Sequence, residues 1–161
     1  MVAAPFLDIS TLDPDKVVMT REEIQEILPQ RFEFAQLDAV CHLDEEEGII
    51  VAYKDLKEDE WWAKGHIPGR PLMPGVMMIE ASAQTGAILL KKLFPQVKDR
   101  FIGFGGLDNA RFRGVVTPPA RIYYMAKRGQ FRTRLSTMPA QAWANGKIVF
   151  EGKVLGATLD L

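Results

Sequence analysis

The chain has 161 residues, 47% of them hydrophobic, with 13 glycines and a formal charge of -1, which suits one globular domain with a real core and is too short for two ordinary ones. A charge this close to zero gives no bulk attraction to nucleic acid or to an anionic membrane surface. Cys41 is the only cysteine, so an intrachain disulfide is excluded, and one cysteine with two histidines makes a structural zinc site a poor fit; a reducing cytoplasm is the expected setting.

Residues 1 to 19 read as an irregular N-terminal extension of a single domain spanning 1 to 161. With no basic n-region and an early run of acids, they do not read as a signal peptide. Thr20-Arg21-Glu22-Glu23 has the capping-box pattern and Pro29 ends the short helix that follows, over Arg21 to Leu28. Phe34 to His42, the acidic turn Asp44 to Gly48 and the β-branched Ile49 to Tyr53 read as two antiparallel strands. Prolines and glycines forbid regular structure from Gly65 to Gly75. Pro74 to Phe94 then forms the one long helix, apolar on nearly every side, with Lys91 and Lys92 suited to its C-terminal end. Its length approaches a membrane span, but Glu80, Gln84 and Gly86 interrupt it, so it reads as buried. Phe101 to Phe112, Arg121 to Lys127, Phe131 to Trp143 and Lys147 to Leu159 are strand-like, with Asn145-Gly146 a hairpin signal between the last two. One long helix among antiparallel strands implies an α+β domain whose sheet curls around a central helix.

Two residues stand out chemically. His66 lies in a Gly/Pro-rich loop whose backbone path suits aiming a side chain, although a lone histidine is as much at home in a structural or surface role. Glu80 sits among Val76, Met77, Ile79, Ala81 and Ala83. Burying a carboxylate without a partner costs several kcal/mol, so Glu80 either gives up its charge or is held by specific polar neighbours, unless it simply faces solvent. Gln84, four residues on, shares its helical face and is placed to hold the carboxyl. Gly75 marks the helix start, where free N–H groups polarise a carbonyl oxygen.

The run Gly65-His66-Ile67-Pro68-Gly69-Arg70-Pro71-Leu72-Met73-Pro74-Gly75-Val76, followed by Glu80-Ala81-Ser82-Ala83-Gln84, resembles the 3-hydroxyacyl-[acyl-carrier-protein] dehydratases of fatty acid synthesis. The likeness extends to Leu107 to Arg113 and to Leu28 to Phe32. The resemblance implies a hotdog fold, a homodimer and above it a trimer of dimers, an acyl carrier protein as partner, no metal or redox cofactor, and elimination of water from a 3-hydroxyacyl thioester. It assigns His66 as the base at C2 and Glu80 as the acid for the departing hydroxyl, the two coming from different subunits. Gly75 N–H would bind the thioester oxygen, Val76 would offer its carbonyl to the imidazole, and Gln84 would steady Glu80. A hotdog thioesterase or a non-catalytic acyl-binding hotdog protein are the alternatives.

Several positions depart from the family pattern: Gln30 in place of a histidine, Glu33 in place of a proline, Trp62 and Ile67 in place of phenylalanines, and Thr117 to Arg121 in place of a Pro-Gly-Asp turn. None touches His66 or Glu80. Between Lys98 and Arg134, nine basic residues face two acids. This asymmetry has two readings, a docking rim for an acidic carrier protein or a solvated strand face paired with the acids of residues 44 to 60.

Overall fold

The structure is a computed structural model, described for residues 4–132 and 134–160. Its centre is α2 (Gly75–Leu93), in which Met78, Ala81, Ile88 and Leu89 are all but sealed from solvent. An antiparallel sheet wraps it. The strands are β1 (Ala39–Asp44), β2 (Ile49–Leu56), β3 (Phe101–Phe112), β4 (Ala120–Lys127), β5 (Leu135–Ala144) and β6 (Lys147–Leu159). Their order across the sheet is β1-β2-β4-β5-β6-β3. The core lies between the concave face and the helix, where Ile50, Ile122, Tyr124, Ala142 and Phe150 meet Met78 and Ile88. Small residues permit the close approach: a Cβ on Gly86 would come within 2.9 Å of the Met138 sulfur.

The expected ends of α2 move inward by one residue, because Pro74 is its N-cap and Phe94 its C-cap. The capping box forms as read: Thr20 Oγ1 accepts from Glu23 N–H and Glu23 Oε2 accepts from Thr20 N–H, opening α1 (Arg21–Ile27). The hairpin at Asn145-Gly146 is also present, both residues having positive φ, which joins β5 to β6.

Two strands start later than the sequence pattern suggests. Phe34 closes a short 3-10 turn (Phe32–Phe34), and the chain enters β1 only at Ala39, opposite Tyr53. Phe131 lies outside β5, stacked on Phe94 with ring centroids 4.0 Å apart, and the strand starts at Leu135.

The lead-in is a packed strap. Phe6, Leu7, Ile9 and Leu12 lie on the outer face of the sheet against Cys41, Val51 and Met125. The buried Gln141 amide latches it, accepting from Phe6 N–H at 3.2 Å and donating to Ala4 O at 2.9 Å. Cys41 beneath it has its thiol pushed up to about 11 by burial, the setting of an inert structural cysteine. Further on, Met19 exchanges backbone hydrogen bonds with Val40 and so covers the outer edge of β1. The other edge, β3, carries no such cover among the described residues.

Candidate active site

The loop before α2 is tied by its own backbone. His66 N–H donates to Trp62 O at 2.9 Å, Leu72 N–H donates to His66 O at 2.9 Å, and Met73 N–H donates to Val116 O at 2.8 Å. Gly69 turns the loop with φ 75°, a left-handed conformation that suits glycine. These bonds leave the His66 ring exposed, with Nδ1 2.8 Å from the carbonyl oxygen of Leu72. The carbonyl beside the imidazole is therefore that of Leu72, not of Val76 as the resemblance suggested. Val76 lies in the first turn of α2, where a carbonyl points along the helix to the N–H four residues on, and its side chain is 66% exposed.

Since a carbonyl only accepts, the contact with Leu72 O places a ring proton on Nδ1, so that in the neutral imidazole the lone pair is on Nε2. The imidazole is thereby arranged as a base that faces outward.

Glu80 is half-buried on α2 and lines a groove between that helix and the β3–β6 pair, together with Leu28, Gln30, Ala87, Ile102 and Met138. The groove is narrow, with a cavity volume of about 50 Å³. Gln84, 2% exposed, holds the carboxyl: its Nε2 donates to Glu80 Oε1 at 2.8 Å and to Phe34 O at 2.6 Å, while its Oε1 accepts from Gln36 N–H at 3.0 Å. One amide thus ties the acid to the loop that borders the groove. Because an N–H faces Oε1, a proton on this carboxyl belongs on Oε2.

No side chain caps α2, and Gly75 N–H has no acceptor among the described residues. The Phe112 ring covers this helix start closely, since a Cβ on Gly75 would lie 2.8 Å from its Cε1. A free amide at the positive end of a 19-residue helix suits an oxygen that gains negative charge.

Within one protomer the structure joins Glu80 to Gln84 but does not bring His66 to them: His66 lines none of the groove, and no hydrogen bond links the two groups. The Leu72 carbonyl and the anchoring of residues 34 to 36 by Gln84 escaped sequence reasoning, because backbone acceptors leave no trace in side-chain pattern. The only available signal was the polar Gln84 inside an apolar helix.

A model of the FabA-like domain matches residues 28–153, most of the chain and the groove's lining except Val154, Leu155 and Gly156. The chain belongs to the FabA-like family. Among curated proteins of that kind, the 3-hydroxyacyl-[acyl-carrier-protein] dehydratase FabZ of Enterococcus faecalis is 39% identical over 136 residues, which are 84% of this chain and 95% of that one. The bifunctional enzyme LpxC/FabZ of Chlorobaculum tepidum is 33% identical over 144 residues, 89% of this chain but 31% of its own length. Among solved structures, the dehydratase heterocomplex ApeI:P of Xenorhabdus doucetiae superposes with a TM-score of 0.71 at 13% identity, covering 85% of this chain and 91% of that one. This FabA-like chain therefore has the hotdog architecture, a curved sheet around a long helix.

Proposed function

We propose that this FabA-like chain is a 3-hydroxyacyl-[acyl-carrier-protein] dehydratase of fatty acid synthesis, with His66 and Glu80 as its catalytic pair. The observation that carries the reading is the Glu80 carboxyl, fixed by a buried amide on the wall of a groove in a chain 39% identical to a FabZ dehydratase. The acyl carrier protein is the donor of the substrate.

In the reaction, His66 Nε2 takes the proton from C2 and the electron pair moves into an enolate whose oxygen lies on Gly75 N–H. The pair then forms the C2–C3 double bond as the C3–O bond breaks, and Glu80 Oε2 gives its proton to the departing hydroxyl, which leaves as water. The imidazolium and the carboxylate that remain exchange a proton through solvent. Leu72 and Gln84 act through these two groups, the first by fixing the ring tautomer and the second by fixing the carboxyl.

The fold supports a homodimer through β3. The β1 edge is covered by Met19, whereas β3 is 12 residues long, open, and flanked by the half-exposed Phe104 and Phe112. A long open edge with apolar neighbours is a liability in a monomer and a ready template for a second copy. Pairing there brings the imidazole of one subunit toward the groove of the other; a trimer of such dimers is the family's larger assembly.

The basic stretch divides into two groups. Arg121 is spent on Asp55, Arg113 on Glu151, Arg100 on Asp160, and Arg128 on the carbonyls of Glu45 and Glu46. Lys98, Arg111, Lys127, Arg132 and Arg134 make no ion pair within 4 Å among the described residues and remain for an acidic carrier. No helix among the described residues is long and apolar enough to cross a membrane, and with Cys41 buried and reduced a cytoplasmic enzyme is the reading we favour.

The test is to mix the protein with a 3-hydroxyacyl thioester on carrier protein and follow both enoyl absorbance and free thiol. The expected outcome is enoyl formation without thiol release. Thiol release without enoyl would replace the dehydratase with a thioesterase.

A further inference from the structure

The groove that holds Glu80 continues along α2 and ends at a cation. Glu80, Gln84, Ala87 and Lys91 follow at intervals of four, three and four residues, so all lie on one helical face and all line the groove. Between the acid and Lys91 the helix rises about 16 Å. The intervening wall is apolar, made by Leu28, Ala87, Ile102, Met138 and Val154.

Lys91 is half-buried and joins no ion pair within 4 Å among the described residues. One of its three donors goes to the carbonyl of Lys98 at 3.0 Å, which fixes the ammonium at the groove end and leaves two donors free. Burial lowers its pKa, with Asp99 opposing, as expected of an ammonium short of counter-charge. The depression just beyond holds Lys91, Lys92 and Lys98 against Glu26 and Asp99, so positive charge is in excess there. A helix-end lysine serves the macrodipole anywhere on the surface. Only Lys91 among these also lines the acyl groove.

We infer that Lys91 makes this enzyme select acyl chains that carry a carboxylate at the end remote from the thioester, the terminal anion meeting the ammonium at the far end of the groove. The inference rests on the dehydratase reading and names the substrate class of that same site. A methyl-ended chain of matching length would press its last carbons against an ammonium that has only the Lys98 carbonyl as a hydrogen-bond partner among the described residues, whereas a carboxylate gains a charge-assisted hydrogen bond.

The test uses the full chain and paired 3-hydroxyacyl pantetheine thioesters, ending in methyl or in carboxylate, over a series of chain lengths. At the length that reaches Lys91, the ratio of kcat/KM for carboxylate-ended over methyl-ended substrate is expected to be about tenfold, the worth of one charge-assisted hydrogen bond. K91M should bring the ratio to one or below, and K91R should keep it well above one. A ratio at or below one in the wild type, or a ratio that K91M leaves unchanged, would overturn the inference while methyl-ended chains were still dehydrated. Dehydration of no 3-hydroxyacyl thioester would instead overturn the reaction itself, and the inference with it.

Discussion

His66→Ala and Glu80→Gln are each expected to lower the dehydration rate by roughly 10² to 10⁴, the usual contribution of a positioned acid or base, while circular dichroism and the unfolding midpoint stay near the wild type. The first substitution removes the Nε2 lone pair that the Leu72 carbonyl frees. Its ring is exposed in the protomer, so little packing is lost. The second keeps the shape of the side chain and a carbonyl oxygen for Gln84 Nε2 but has no proton to give the departing hydroxyl. Rates in the wild-type range for either variant, measured by enoyl absorbance, would contradict the assignment.

A second large effect is expected at Gln84. Gln84→Leu replaces a 2% exposed amide by a slightly smaller apolar group and strands three partners: Glu80 Oε1, Phe34 O and Gln36 N–H. Each buried polar group left unpaired costs on the order of 1–3 kcal/mol, so the urea midpoint should fall clearly. Activity should fall further than stability explains, because the carboxyl loses its orientation and the loop at residues 34 to 36 its anchor. Gln84→Glu offers a separate readout: a second carboxyl beside Glu80 opposes its ionisation, so the alkaline limb of the pH–rate profile, where the general acid loses its proton, should move upward. An unshifted profile together with an unchanged urea midpoint would show that Gln84 holds nothing.

The parts of the fold that were legible in the sequence are those set by local punctuation. Pro74, Pro95 and the unbroken apolar run delimit α2, and Asn145-Gly146 sets the turn between β5 and β6. Where strands began too early, a tertiary contact overrode propensity. Phe34 to Asp38 looks like strand, but Gln84 takes Gln36 N–H and the ladder starts only at Ala39; Phe131 leaves β5 for the face of Phe94. The strap was the least legible element, since Phe6 and Leu12 have no period and find their place only against the finished outer face. At the site, side chains with unusual neighbours were visible, notably Glu80 and Gln84. The carbonyl that sets the imidazole was not, because Leu72 contributes backbone alone. Nor does one protomer bring His66 to Glu80's groove.

The central claim, a site shared between two copies of the chain, has a direct measurement. His66→Ala and Glu80→Gln chains, each inactive alone, are mixed under conditions that exchange subunits. In a two-fold dimer each heterodimer then carries one site with both groups intact, so the equimolar mixture should recover about one quarter of wild-type activity. If the imidazole and the carboxyl of one site belong to the same chain, every site in the mixture lacks one of them. Activity no greater than that of the two variants alone would contradict the account.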